Sequence, residues 1–260
     1  MAESSATTSA APARRRRVHV VLPAFNEAAC LGRLLEHLDE DLTEAGLPYQ
    51  IIVVDDGSTD GTDAIAREYA ARMPVSLVRH PQNLGLGAAI RDGLKHAADA
   101  AAPRDIIVTM DADDTHTPGL ILRMSRMIYE GHDVVIASRY QPGSRTIGVP
   151  LHRRALSWGG SMLLRVVFPI QGVRDFTCGF RAYRAGVIQA ALAQYGDAFL
   201  DQEGFQCMVD ILLKLRRMHL IFGEVPFILR YDIKEGASKM RVGRTISRTL
   251  QLMLRRRLGG

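Results

Sequence analysis

The chain has 260 residues, 47% hydrophobic and 23% charged, proportions of a globular protein that exclude a disordered, collagen-like or disulfide-scaffold chain. Lysine and arginine outnumber the acids 33 to 28, and the three cysteines are widely spaced with no CxxC pair. This balance favours anionic partners and reduced thiols in a cytoplasm. No run of about 18 uncharged apolar residues occurs, as a membrane-spanning helix requires; the nearest approach, 157–173, is interrupted by Gly159, Gly160, Arg165 and Pro169.

In chain order, residues 1–17 read as a disordered basic tail, poor in large apolar side chains and ending in Arg14, Arg15, Arg16 and Arg17. The next apolar run, 18–22, is too short for a signal-peptide core and stops at Pro23, so it forms a first strand. Further β-branched runs at 50–54, 75–79, 106–110 and 134–137 alternate with helical periodicity at 28–45, 60–71, 85–98 and 120–130. The pattern implies βαβ units in a doubly wound, mostly parallel, Rossmann-like α/β sheet that binds ligands at the carboxyl ends of its strands. Past Tyr140 the alternation fails. A Gly/Pro/Arg loop, an apolar segment from Leu151, a Gly-Phe turn at 179–180, helical stretches at 185–194 and 204–217 and an apolar stretch at 220–229 are expected to shape the acceptor side. The main domain is expected over 18–240, followed by a basic amphipathic helix over 241–260. At 100° per residue that helix sets Val242, Ile246, Leu250, Met253 and Leu254 opposite Arg241, Arg244, Arg248 and Arg255, a pattern suited to an anionic membrane surface, with Arg257 on the apolar side.

Two strands end in acids. The second runs into Asp55-Asp56-Gly57-Ser58, where paired carboxylates can accept hydrogen bonds from a ribose diol or a base N–H while glycine lets the chain turn. Ser58 or Asp60 alternatively caps the following helix. The fourth runs into Asp111-Ala112-Asp113-Asp114. Alternation in extended backbone puts Asp111 and Asp113 on one side, as hard oxygen ligands for Mg²⁺ or Mn²⁺ that would screen a diphosphate leaving group. Asn83-Leu84-Gly85-Leu86-Gly87 looks like a phosphate loop but has Ile90 in place of its third glycine, so a tight turn with close backbone approach is expected.

Taken together, Leu-Pro-Ala-Phe-Asn-Glu (22–27), Val-Val-Asp-Asp-Gly-Ser (53–58), Met-Asp-Ala-Asp (110–113), Ala-Ser-Arg-Tyr (137–140), Asp-Phe-Thr-Cys-Gly-Phe-Arg (175–181), Glu-Val-Pro (224–226) and Gly-Ala-Ser-Lys (236–239) resemble the family 2 glycosyltransferases of GT-A fold, within them the dolichol-phosphate mannose synthase-like branch. The resemblance implies a nucleotide-diphosphate sugar donor, GDP-mannose foremost, a divalent metal, inversion at the anomeric carbon and a lipid monophosphate acceptor. It also implies that Pro23, Phe25, Glu27, Val54 and Asp56 hold the nucleoside, to which the paired-carboxylate reading adds Asp55, that Asp111 and Asp113 bind metal beside Ala112 and Thr115, and that Arg139, Arg153, Arg230 and Lys239 surround the phosphates. Phe176 and Cys178 depart from the usual Pro and Ser, Asp210 stands where Glu is common, and about three extra residues separate Arg230 from Lys239.

An acceptor phosphate is already an anion near neutral pH, so it needs charge neutralisation and alignment more than a base. Asp175 either orients that acceptor, acts as base or caps its loop. The competing reading, a soluble hydroxyl acceptor, requires a base from Asp175, Asp201 or Glu203. A non-catalytic adaptor for membranes or nucleic acid leaves Asp55, Asp56, Asp111 and Asp113 without purpose, so no nucleic-acid partner is expected.

Overall fold

The computed structural model describes residues 15–233, 248–249 and 251–253. A seven-stranded sheet has the order β3-β2-β1-β4-β7-β5-β8, formed by β1 (Val18–Ala24), β2 (Tyr49–Asp55), β3 (Val75–Arg79), β4 (Ile106–Thr109), β5 (Val134–Ser138), β7 (Arg181–Arg184) and β8 (Phe222–Pro226). Only β7 runs antiparallel to its neighbours. The chain moves outward from β1 through β2 to β3, then returns to lay β4 on the other side of β1, with Val18 opposite Ile106 and Val21 opposite Thr109. That reversal opens a crevice at the carboxyl ends of β1 and β4, where doubly wound sheets take their ligands.

The first half follows the expected alternation. Helices α1 (Ala28–Glu44), α2 (Thr62–Ala70), α3 (Leu86–Ala100) and α4 (Leu120–Tyr129) cover a sheet whose central strands are almost wholly buried. Continuous β-branched strands such as 51–54 suit a sheet covered on both faces. Helix α1 buries Leu31, Leu34, Leu35, Leu38 and Leu42, the i, i+3/i+4 stripe of a helix packed on such a sheet.

The second half adds what the alternation does not predict. Strand β7 follows the Gly-Phe turn and inserts between β4 and β5, while β6 (Arg145–Ile147) and β9 (Ile228–Arg230) pair in a separate two-stranded sheet. Helices α5 (Leu151–Val167), α6 (Ala185–Tyr195) and α7 (Gln206–Leu215) complete the fold. Most of 241–260 lies outside the described residues, but Leu252 and Met253 are buried in the core. This corrects the expectation for Met253, which packs on its own domain instead of presenting an apolar face outward.

Candidate active site

The loops after β1 and β2 are stitched together. Ser58 Oγ accepts from Asn26 N, Asn26 Oδ1 from Thr59 N, and Thr62 Oγ1 from Glu27 N, each at 2.9 Å. Asp60 accepts from Ala28 N at 2.9 Å and Thr62 N at 3.1 Å, so it ties the first turns of α1 and α2 together. Burial works against its charge, but these bonds outweigh burial and hold the carboxyl below its usual range. Pro23, Phe25 and Glu27 are half-buried along this seam, beside the fully buried Val54.

Asp55 and Asp56 organise their own surroundings. Asp55 Oδ1 accepts from Ser58 N at 3.0 Å, and Oδ2 lies 3.4 Å from Arg79 Nε. Asp56 accepts from Leu84 N and Gly85 N, both at 2.8 Å, and meets His80 Nδ1 at 2.7 Å. The far side of His80 meets Asp92 at 3.0 Å. Asp56 thus fixes the glycine turn that leads into α3. That turn makes a close backbone approach, as expected: a Cβ at Gly87 would collide with the Gln202 carbonyl.

Strand β4 ends at Thr109, so Asp111 lies past the strand and Ala112, Asp113 and Asp114 sit in bends. This corrects the extended-backbone rationale for Asp111 and Asp113. Asp114, at φ 57°, leaves the strand path and is held by Arg33 Nε at 2.7 Å from α1. Asp113 Oδ1 accepts from Thr115 N at 3.2 Å and Thr115 Oγ1 at 2.7 Å, which orients its carboxylate beside the buried Ala112. Asp111 keeps 42% of its side chain exposed, with His116 Nε2 4.0 Å away. His116, missed by sequence reading, stacks on Phe180 with ring centres 5.1 Å apart and meets Phe227 edge-on.

Among the described residues no group of three or more His, Cys, Asp or Glu side chains is disposed to hold a metal. Two loop carboxylates fit an ion such as Mg²⁺ or Mn²⁺ that draws its remaining ligands from water and substrate phosphates. Asp111 and Asp113 are the residues that would hold it.

Arg139, one residue past β5, grips Asp175 through Nε at 2.7 Å and Nη2 at 2.8 Å. Asp175 is 0% exposed, and Arg139 retains 21% side-chain exposure. Asp175 also accepts from Arg139 N, Thr177 N and Cys178 N at 3.1–3.2 Å. Burial pushes its pKa up, but the guanidinium and these bonds outweigh burial and hold it below the ordinary carboxylate range, while Arg139 is raised in return. Of the three roles expected for Asp175, orienting the acceptor, acting as base or capping its loop, these contacts favour the cap, since a buried carboxylate that already accepts several hydrogen bonds is poorly placed to take a proton. Its contacts hold Arg139 and cap its loop. Glu224, of the Glu-Val-Pro motif, supports the same loop by accepting from Arg174 N and Asp175 N at 2.6 Å. Its own pKa is raised by burial. Arg181 is fully buried and donates to the carbonyls of Phe176, Cys178 and Met208, joining this motif to α7.

In the second half of the chain, Asp201 pairs with Lys214 at 3.0 Å, and Lys214 also holds Asp210 at 2.5 Å. Burial works upward on Asp201, but Lys214 and Gln202 outweigh it and lower its pKa. Glu203 lies 3.6 Å from Arg248. Arg230 is exposed and pairs with Asp232 at 2.9 Å, while its backbone N–H reaches the Thr115 carbonyl and so docks β9 on the acidic loop. Arg153 falls in the first turn of α5. Lys239 lies outside the described residues.

A doubly wound, mostly parallel sheet with acids past the end of a central strand is the architecture of the GT-A glycosyltransferases. The model of "Glycosyl transferase family 2" matches residues 19–192, and the chain belongs to that family and is a glycosyltransferase. It is 33% identical to a dolichol-phosphate mannosyltransferase of Pyrococcus furiosus over 92% of this chain, and spans 63% of that relative's length. It is 32% identical to an undecaprenyl-phosphate mannosyltransferase of Micrococcus luteus, covering 87% of this chain and 88% of that one. Among solved structures, it resembles glucosyl-3-phosphoglycerate synthase from Mycobacterium tuberculosis in complex with Mn²⁺, UDP and glucosyl-3-phosphoglycerate. That likeness has a TM-score of 0.69 at 22% identity, over 93% of this chain and 80% of the other, and shows the fold.

Proposed function

We propose that the protein transfers a hexose, mannose from GDP-mannose, to a polyprenyl or dolichyl monophosphate, with inversion and with Mg²⁺ or Mn²⁺. The observation that carries the choice of acceptor is the state of the acids. Asp175 is taken up by Arg139 and Asp201 by Lys214, so two of the three candidate bases are counter-ions with lowered pKa. An acceptor phosphate, with its second pKa near ~6, is a nucleophile at neutral pH without a base. The polyprenyl-phosphate relatives named above support the same reading.

In this reading the nucleoside lies along the seam of Pro23, Phe25, Glu27, Val54, Asp55 and Asp56. Asp111 and Asp113, beside Ala112 and Thr115, would hold the metal, which would supply positive charge to the leaving diphosphate. The acceptor oxygen attacks the anomeric carbon from the face opposite the diphosphate. The new C–O bond forms as the bond to the diphosphate breaks, and the nucleoside diphosphate departs with the electron pair. Arg139, held rigid by Asp175, offers fixed positive charge to the phosphates, and Arg153, Arg230 and Lys239 add to it. The protein works on the cytoplasmic side, peripheral to an anionic membrane.

Thermal unfolding with GDP or UDP, each with and without Mn²⁺, tests the donor site. A diphosphate at about 100 times its Kd adds ~2.7 kcal/mol, a Tm rise of roughly 5 to 10 °C at this size. The rise should need metal and nucleotide together, favour GDP and vanish in Asp111→Asn. Equal shifts without Mn²⁺, or in Asp111→Asn, would remove the metal from the reading.

A further inference from the structure

The two acids at the end of β2 are met by two consecutive residues at the end of β3. Parallel pairing sets Asp55 opposite Arg79, whose Nε lies 3.4 Å from Asp55 Oδ2, and the next residue, His80, meets Asp56 at 2.7 Å. His80 is 6% exposed and Asp56 3%. Their backbones are pinned without this contact, His80 N to the Asp55 carbonyl at 2.9 Å and Asp56 N to the Ala24 carbonyl at 2.8 Å. What the imidazole adds is control of the carboxylate itself.

Two carboxylates bracket the ring. Nδ1 faces Asp56 Oδ1, and Nε2 faces Asp92 Oδ2, on α3, at 3.0 Å. Asp92 is held in turn by Arg91, with Nε 2.8 Å from Oδ1. Burial works against the charge of Asp92, but Arg91 and His80 outweigh it and lower the pKa. An ionised carboxylate accepts hydrogen bonds and has none to give, so both ring nitrogens donate. Asp56 Oδ1 then accepts from His80 and Leu84 N, and Oδ2 from Gly85 N. A carboxylate has about four lone-pair positions; among the described residues three are filled, and the one left is on Oδ2.

We infer that His80 is a positioning residue of the donor site: held between Asp56 and Asp92, it fixes the Asp56 carboxylate so that one acceptor position, on Oδ2, is left for the nucleoside. The inference rests on the reading of Asp56 as a nucleoside contact. Without the Nδ1 donor the carboxylate keeps its two backbone bonds but loses the contact that sets its rotation.

The test compares His80→Leu, which removes both donors, with His80→Gln, whose amide can still donate to Asp56. Binding of GDP and of UDP to the full-length protein, each with Mn²⁺, is measured by titration calorimetry, and kcat and KM by transfer from GDP-mannose. His80→Leu should weaken nucleotide binding and raise KM about tenfold with kcat within about twofold, the mark of an interaction made equally in ground and transition states. His80→Gln should stay within about threefold of the wild type, since one hydrogen bond to Asp56 is kept. In an Asp56→Ala background, His80→Leu should add less than about twofold, because its effect runs through Asp56. With the eight histidines labelled with nitrogen-15, the ligand-free protein should show a ring carrying hydrogen on both nitrogens that is missing from His80→Gln. A bare Nδ1 on His80 overturns the inference, as does a full further loss in the Asp56→Ala background or a fall in kcat with KM unchanged. Nucleotide binding by the wild type that is undiminished in His80→Leu overturns this role alone. A wild type that binds neither nucleotide overturns the donor-site reading and this role with it.

Discussion

Replacing Arg139 with methionine keeps the length of the side chain and strips Asp175 of its counter-ion. Two charge-assisted bonds disappear, at 2.7 and 2.8 Å, from a carboxylate with no exposure. Breaking a buried pair from one side costs about 3–5 kcal/mol, because the remaining charge stays desolvated. Three backbone N–H groups still donate to Asp175, and Arg139 is itself partly exposed, so the low end, about 3 kcal/mol, is expected. Urea unfolding followed by far-ultraviolet circular dichroism measures it. The pH dependence carries the sign. In the wild type the Asp175 pKa is depressed, so the pair's stabilisation is full above the unfolded value of ~3.9 and is lost as pH falls through the folded value. In Arg139→Met burial dominates and the pKa rises, so Asp175 neutralises on mild acidification and the gap between variant and wild type narrows as pH falls. A loss under about 1 kcal/mol at neutral pH, or a gap that does not change with pH, would refute the view that this ion pair braces the site.

Lys214→Met should cost about 3–5 kcal/mol in the same assay, since it removes the ammonium that faces the buried Asp210 and the donor to the Phe199 carbonyl; retained stability would show that this cluster is dispensable. Gly87→Ala should lower stability by roughly 1–3 kcal/mol through collision with the Gln202 backbone, with calorimetry as the check and an unchanged Tm as the contrary result. Burial raises the Cys178 and Cys207 thiols to about 12, so a thiol reagent near neutral pH should modify them only as fast as the protein unfolds; rapid native labelling would contradict their burial.

The first half of the fold was legible because its strands and helices keep distinct periods, and each strand end placed its acids. The second half was not, for identifiable reasons. Strand β7 begins with Arg181, which reads as a surface residue until three backbone carbonyls are seen to surround it. Strands β6 and β9, three residues each, are too short for a period. The outward apolar face of α5 cannot be told from a buried one by spacing, since both give the same arc. In the site, sequence singled out Asp111, Asp113 and Arg139 as candidates but not the contacts that hold Asp113 and Arg139. His116 reads as a lone histidine until Phe180 and Phe227 are placed against it. Asp175 reads equally as an acid that orients an acceptor, a base or a loop cap until its guanidinium partner, 36 residues away, is placed against it.

The most direct measurement of the central claim is sugar transfer itself: labelled GDP-mannose, Mn²⁺ and a polyprenyl monophosphate are incubated with the wild type and with Asp111→Asn, and the mixtures are extracted with organic solvent. The account predicts label in the organic phase as the inverted glycosyl phosphate, with loss of turnover by several orders of magnitude in Asp111→Asn, as expected when the metal that stabilises the leaving diphosphate is lost. Label confined to water-soluble products, or equal organic label from Asp111→Asn, would contradict it.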